Sequence, residues 1–585
     1  MTDPHELLKN LFGFDNFRGV QERVIERVLA GEHTLAVMPT GAGKSLCYQL
    51  PAVARSGTAL VISPLIALMH DQIRSAAAIG LKAASLTSAD SDREQTVERL
   101  RAGELDLLYV APERATGETF RRLVSRVELA LIAIDEAHCV SEWGHDFRPD
   151  YRQLRPLLDE SGNVPRLALT ATADARTRAD ILAQLGIPPD GLVVAGFDRP
   201  NIRYHVRPRD GLPGQLKALL TQQPGPGIVY APSRDKAERI AEQVATGGRP
   251  AVPYHAGLEP QVRARNQAAF VASEEMVIAA TVAFGMGIDK PDVRFVAHAG
   301  IPKSIEAFYQ ETGRAGRDGD PAEAWLFWAA EDFARARRRI ETEVEPERRA
   351  AERERLNALA AFVEASTCRR AILLRHFGED PQEECGNCDN CLDPPATIDA
   401  TETARKLLST AFRTEMRFGV SHLADVLAGN DSEKVRSFGH DRLSVFGIAT
   451  PEELALVRPV ARALIARDAL RADAYGGLSF GPGAKPILKG EQDVTIAVPP
   501  ARRRGSRKRA DGPADPVFDA LREARRRLAA EAGVPPYVIF HDSTLREIAE
   551  RKPNDLNELS MVQGVGATKL ERYGKAMLAA LSTNG

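Results

Sequence analysis

TLAVMPTGAGKSLCYQL, residues 34–50, decides the architecture. A short apolar strand runs straight into MPTGAGKS at 38–45, and an apolar helical stretch follows. Glycines let the backbone wrap so that N–H groups face phosphate oxygens at a helix N-terminus. Met38, Pro39, Thr40, Gly41, Ala42, Gly43, Lys44 and Ser45 are therefore expected to cradle the phosphates of ATP. Lys44 would meet the β and γ phosphates, and Ser45 would hold Mg²⁺. Met38 stands where the strict GxxxxGK[ST] pattern has its first glycine.

Working outward, strands are expected at 35–38, 59–63, 131–134, 167–170, 228–230, 277–280 and 295–298. Each is short and apolar, as in a parallel sheet buried on both faces. Alternation with helical stretches over about 335 residues points to doubly wound α/β architecture. Pro, Gly and charged residues collect at 200–213, so a seam between two α/β lobes is expected there. DEAH at 135–138 closes one strand. Asp135 would bind Mg²⁺ and Glu136 would orient and deprotonate an attacking water. QETGRAGRDG at 310–319 supplies Gln310, Arg314 and Arg317 from the second lobe. An arginine aimed across a lobe interface neutralises transition-state charge and is worth about 10³–10⁵ in rate. Hydrolysis would then require lobe closure, which turns chemistry into motion.

The chain has 585 residues, 44% hydrophobic and 27% charged, with a formal net charge of −3. That balance excludes a uniformly basic nucleic-acid binder, so any such contact must come from local patches. No apolar run approaches the ~20 residues that cross a bilayer. The N-terminus lacks a basic-then-apolar signal pattern, and a cytoplasmic or nucleoid-associated protein is expected. Cys368, Cys385, Cys388 and Cys391 crowd into one stretch with spacing C-x₁₆-C-x₂-C-x₂-C. Overlapping C-x₂-C turns and soft thiolates favour a structural tetrahedral Zn²⁺, with an iron–sulfur cluster as the alternative. Residues 498–515 form a Pro/Gly/Arg linker with no core. Its run Arg502, Arg503, Arg504, Arg507, Lys508, Arg509 reads as a solvated linker or as sliding phosphate contact.

These pieces together resemble a superfamily 2 helicase, and the remainder resembles the RecQ family. LLKNLFGFDNFRGVQ carries the family's N-terminal pattern in Leu8, Phe12, Gly13, Phe17, Arg18 and Gln21. The resemblance implies that Gln21 and Arg18 read adenine and that Phe14 stacks on it. SPLIALMHDQ (63–72), YVAPER (109–114), LTATA (169–173), FDRPNI (197–202), YHAGL (254–258) and ATVAFGMGIDKP (280–291) follow in helicase order. CVSEWGHDFRPDY at 139–151 matches the family's aromatic-rich loop, which senses single-stranded DNA. Trp143, His145, Phe147 and Arg148 suit that work, since bases stack on aromatic faces for about 1–3 kcal/mol each. The cysteine pattern also matches.

Residues 403–447 resemble the family's winged helix, with Arg471–Phe480 as a β-wing turning at Gly476–Gly477 and Tyr475 poised to stack on a terminal base pair. Residues 515–585 resemble the HRDC domain, where Tyr537 and nearby basic residues would bind single-stranded DNA and the 564–566 segment would offer N–H groups to a phosphate. The implied layout is two RecA-like lobes (1–205 and 206–335), a zinc-binding subdomain (336–400), a winged helix (401–497), a basic linker (498–514) and an HRDC domain (515–585). The implied activity is ATP-dependent 3′→5′ DNA unwinding in recombination, repair and fork processing, stimulated by single-stranded DNA. ATP, Mg²⁺ and Zn²⁺ are the implied cofactors. Forked, duplex and single-stranded DNA are the implied partners, with single-strand-binding protein as a family-level addition, and a monomer is expected. Two other classes stay open: a translocase that remodels without net unwinding, and a DNA-binding scaffold with an inactive ATP site.

Overall fold

The computed structural model describes residues 3–64, 66–87, 90, 92–141, 148–284, 290–472, 477–498 and 515–582. Trp143, His145, Phe147, Tyr475 and the basic run 502–509 lie outside them.

The first lobe is a seven-stranded sheet: β1 (Thr34–Val37), β2 (Thr58–Ile62), β3 (Ala83–Leu86), β4 (Leu107–Val110), β5 (Leu129–Ile134), β6 (Arg166–Thr170) and β7 (Leu192–Val194). The spatial order is β3-β4-β2-β5-β6-β1-β7 and every pairing is parallel. β1 and β2 are buried along their whole lengths, which is why they read as unbroken apolar runs; β4, equally buried, was not among the expected strands. Ile134 at the end of β5 lies opposite Ala168 of β6, and Val37 at the end of β1 lies opposite Thr170. DEAH and the phosphate loop thus leave the same carboxyl edge of the sheet, where open α/β sheets bind ligands.

The second lobe holds β8 (Ile202–Pro208), β9 (Gly227–Tyr230), β10 (Ala251–Tyr254), β11 (Val277–Ala280), β12 (Phe295–His298) and β13 (Ala322–Trp328). Their order is β10-β11-β9-β12-β13-β8, again wholly parallel. The expected seam at 200–213 needs correction. Residues 202–208 form an edge strand paired along its length with β13, so a boundary between 205 and 206 cuts through a strand. Ile202, Tyr204 and Val206 are buried while the intervening Arg203, His205 and Arg207 are only partly covered, the period-2 pattern of a half-buried strand. β10 carries Pro253 and escaped the sequence reading for a similar reason, since proline is tolerated at a sheet edge.

Helices Ala330–Glu343, Pro346–Glu364 and Arg369–His376 fill the stretch read as helical from 335 to 376. The cysteine cluster follows and packs on β8, where Tyr204 bridges Cys388. Asp389, fully buried, accepts from Arg369 Nε (3.1 Å), Arg207 Nη1 (3.2 Å) and the Val206 backbone N–H (2.9 Å). Helices Thr401–Arg413, Val420–Ala428 and Pro451–Ala466 enclose a core that includes Leu407, Leu423, Leu464 and Leu478. β14 (Ala396–Asp399) pairs antiparallel with β17 (Thr495–Val498), and β15 (Leu470–Ala472) with β16 (Leu478–Phe480) as a wing hairpin.

Residues 516–582 form five helices around Leu521, Phe540, Leu545, Ile548 and Met577. This small domain docks on both lobes. The Glu274 carboxylate receives Arg522 (2.8 Å), Arg525 (2.6 Å) and Arg526 (2.5 Å), and Asp320 receives Arg546 (2.5 Å). The Gly564 N–H, expected to meet a phosphate, donates instead to the Gly13 carbonyl of the first lobe at 3.2 Å. No helix among the described residues is long and apolar enough to cross a membrane.

Candidate nucleotide site and its contact with the second lobe

The phosphate loop turns on Gly41 (φ +86°) and Gly43 (φ +71°), both left-handed. The left-handed backbone at Gly43 favours glycine, and a Cβ there would fall 2.4 Å from Gln21 Nε2, so that amide would have to move. Gln21 Nε2 donates to the carbonyls of Ala42 (2.9 Å) and Gly43 (3.2 Å), and its Oε1 accepts from the Arg18 N–H (2.8 Å). The amide expected to read adenine therefore holds the loop in this structure. Phe14 packs with Leu8, Ile25, Leu46 and Leu50, with the Arg18 guanidinium 5.8 Å from its ring centre.

Lys44 Nζ donates to the Met38 carbonyl at 3.2 Å. Burial lowers its proton affinity, Glu136 and Asp135 oppose that, and Arg317 adds to it. Ser45 is the N-cap of the helix Leu46–Ala54, and its side chain makes no capping bond there. Asp135 is pushed up to about 7, first by burial and then by the Glu136 charge, with Lys44 opposing. Two carboxylates this close, next to one lysine, form a site that a divalent cation would complete. Glu136 is left-handed (φ 49°), which turns it off the strand end, and its N–H donates to Asp135 Oδ1 at 2.9 Å. Its Oε2 lies 3.3 Å from His138 Nδ1, which in turn is 3.0 Å from Thr170 Oγ1 in LTATA. That path joins Glu136 to the next motif through His138, to which its place in DEAH assigns no role.

The aromatic-rich segment is anchored at its described ends. The Tyr151 hydroxyl donates to the Asp135 carbonyl (3.0 Å), and Arg148 Nη1 donates to the Pro64 carbonyl (3.4 Å) of the SPLIALMHDQ motif.

Gln310 lies on the helix Ile305–Thr312, and Arg314 and Arg317 follow in the next turn. Arg314 is buried beside the Tyr230 hydroxyl, whereas Arg317 is partly exposed. This turn meets the phosphate loop. A Cβ at Gly313 would lie 3.2 Å from the Thr40 Cβ, and one at Gly41 would lie 3.2 Å from the Arg317 Cγ. FDRPNI, a motif match without an assigned role, wraps the same turn. Tyr309 donates to the Phe197 carbonyl (2.7 Å), and Asn201 Nδ2 donates to the carbonyls of Gly316 and Asp320, both at 2.8 Å. Spacing along the chain gave no signal for these contacts, because they form only when two lobes meet.

Cys368, Cys385, Cys388 and Cys391 place their sulfurs within 4.8 Å of one another, with Cys385 and Cys391 4.0 Å apart. A Zn–S bond near 2.3 Å sets tetrahedral sulfurs about 3.8 Å apart, so the cluster fits the ion. Backbone N–H groups of Ala371 and Asn387 point at the sulfurs of Cys368 (3.4 Å) and Cys385 (3.3 Å), as suits thiolate ligands. His376 is occupied elsewhere, 2.7 Å from Glu306. Tyr537 sits half-buried at the start of the helix Pro536–Ile539 in the docked C-terminal domain.

Two parallel-sheet lobes, with phosphate loop and DEAH on one and an arginine turn reaching in from the other, define a helicase-type nucleotide motor. Family models agree piece by piece: DEAD/DEAH box helicase over 18–181, helicase conserved C-terminal domain over 212–319, RecQ zinc-binding over 330–392, RQC domain over 394–505 and HRDC domain over 514–581. The chain is 42% identical to the ATP-dependent DNA helicase RecQ of Pasteurella multocida, covering 98% of this chain and 92% of that one. It is 42% identical to the protein of the same name from Haemophilus influenzae, covering 98% and 94%, and 38% identical to that of Bacillus subtilis, covering 98% and 97%. The chain belongs to the RecQ family of ATP-dependent DNA helicases.

Proposed function

We propose that this chain is an ATP-dependent DNA helicase that moves 3′→5′ on single-stranded DNA and opens forked and recombination-type duplexes, with hydrolysis gated by the tracked strand. The observation that carries the reading is the contact of Gly313 and Arg317 with Thr40 and Gly41, which ties hydrolysis to the relation between lobes. Lys44 and the N–H groups of 38–45 bind the phosphates, and Ser45 and Asp135 hold Mg²⁺. Glu136 activates water, while Gln310, Arg314 and Arg317 complete the site from the second lobe. Phe14, Arg18 and Gln21 recognise adenine once the nucleotide displaces the loop contacts of Gln21. Trp143, His145, Phe147 and Arg148 sense the tracked strand, and Tyr475 and Tyr537 are further DNA contacts. Phe438, an exposed ring in the winged helix near Lys434 and Arg436, offers the duplex a stacking face beside phosphate-binding charge. The cysteine cluster with Zn²⁺ stiffens the edge of the second lobe. Work as a cytoplasmic monomer in DNA repair, alongside single-strand-binding protein, belongs to the same proposal.

The test is strand release on matched 3′-tailed and 5′-tailed duplexes with ATP and Mg²⁺. Release from the 3′-tailed substrate alone is expected. Equal release from both, or preference for the 5′ tail, would overturn the polarity.

A further inference from the structure

Arg199 lies in the short connection between β7 of the first lobe and β8 of the second. Its guanidinium spans the gap beside that hinge. Nη1 donates to the Thr40 carbonyl of the phosphate loop (2.5 Å) and to the Gly313 carbonyl (3.2 Å). Nη2 donates to the carbonyls of Ala315 (3.0 Å) and Gly316 (3.0 Å). One planar group therefore binds a single carbonyl of the first lobe and three of the arginine turn. The fit is close enough that a Cβ at Gly41 would sit 3.4 Å from Nη1. Asn201 pins the far end of the same turn through Gly316 and Asp320. The four acceptors are all backbone carbonyls, whose directional dipoles fix the orientation of the guanidinium, while Asp318 and Asp198 lie near enough to favour its charge.

We propose that Arg199 is a positioning residue for hydrolysis: it locks the arginine-bearing turn in register with the phosphate loop, so that a shift of Thr40 moves Arg317 with it. Thr40 moves when the loop closes on a nucleotide or releases product. A planar fork transmits that displacement, because its two nitrogens cannot move independently. A lysine at the same place has a single nitrogen and cannot span Thr40 and Gly316 together. The inference rests on the reading of Arg317 as the residue that stabilises the transition state. It adds that Arg317 is aimed from the hinge.

The experiment uses the full chain with DNA-stimulated phosphate release and a double-mutant cycle of Arg199→Ala and Arg317→Ala. Misplacing a catalytic group by about 1 Å costs about 10²-fold in rate, so kcat should fall about 10²-fold in Arg199→Ala. KM for ATP and affinity for DNA should stay within about threefold. Affinity for ADP with aluminium fluoride, a transition-state mimic, should fall while affinity for ADP alone does not. The double variant should be no slower than Arg317→Ala, because both changes remove one function. Should Arg199→Ala fold poorly, Arg199→Lys keeps the cation and is expected to lose kcat without losing melting temperature. Wild-type kcat in Arg199→Lys, or effects that multiply in the double variant, would overturn the inference. Full activity in Arg317→Ala would instead sink the reading on which it rests.

Discussion

Replacing Arg317 by Ala removes the group that the second lobe extends over the phosphate loop. Its Cγ is already within 3.2 Å of where a Gly41 side chain would begin, and its charge is strong enough at Lys44 to lower that group's proton affinity. It is only partly buried, whereas Arg314 is buried beside Tyr230. The transition-state effect should therefore concentrate on Arg317. An arginine finger is worth about 10³–10⁵ in rate. At 1.36 kcal/mol per tenfold, that corresponds to about 4–7 kcal/mol of barrier. Water can partly replace a guanidinium that is not fully buried, which places the expected loss at about 10³, the lower end. The assay is steady-state phosphate release at saturating ATP and single-stranded DNA, with nucleotide affinity measured separately. The predicted result is a kcat loss of about 10³ with ATP affinity changed less than about tenfold. Arg317→Lys should recover only a small part, because a point charge does not reproduce a fork. A loss below about tenfold in Arg317→Ala would refute the reasoning, since packing alone would explain it.

Lys44→Ala should abolish hydrolysis and leave DNA binding intact, as read by phosphate release and fluorescence anisotropy; persistent turnover would mean the site is misassigned. Cys388→Ser should lose its zinc by metal analysis and lower the melting temperature, because it removes a buried thiolate from the four-sulfur cluster, whereas full zinc content in the variant would contradict the four-thiolate site. The Glu364 carboxyl, at the junction of the zinc-binding and winged-helix domains, is pushed up to about 8 by burial although Arg467 lies 3.1 Å away. Between the ordinary 4.5 and about 8 the folded chain keeps a proton that the unfolded chain has lost, so this group makes stability fall as pH rises through that window. Glu364→Gln should therefore gain melting temperature relative to wild type steadily from about pH 5 to pH 8, and a difference that stays flat would dismiss the effect.

What was legible in the sequence follows from how each feature is encoded. β1, β2 and β5 are buried on both faces, so their apolar runs announce them. The phosphate loop, DEAH and the cysteines were legible because their chemistry needs fixed residues at fixed short spacing. β8 was misread as a seam because an edge strand alternates Ile202, Arg203, Tyr204, His205 between prolines at 200 and 208. Gln21 was expected to read adenine, and its bonds to Ala42 and Gly43 were not legible, since an amide serves a base edge or a carbonyl equally well. Arg199 was hidden inside a matched motif, because carbonyl acceptors at 40 and 313–316 leave no trace in side-chain identity. The docking of the C-terminal domain was illegible for the same reason. Glu274 looks like any surface acid until Arg522, Arg525 and Arg526 converge on it.

The central claim is that DNA-gated ATP hydrolysis across the two lobes separates strands. It is tested most directly by recording phosphate release and strand release together on one 3′-tailed duplex, with wild type and Arg317→Ala side by side. The account predicts that hydrolysis rises sharply when the tail is added, that strands separate only with ATP, and that Arg317→Ala loses both in proportion. Vigorous DNA-stimulated hydrolysis with no strand release would contradict it and leave a translocase in its place.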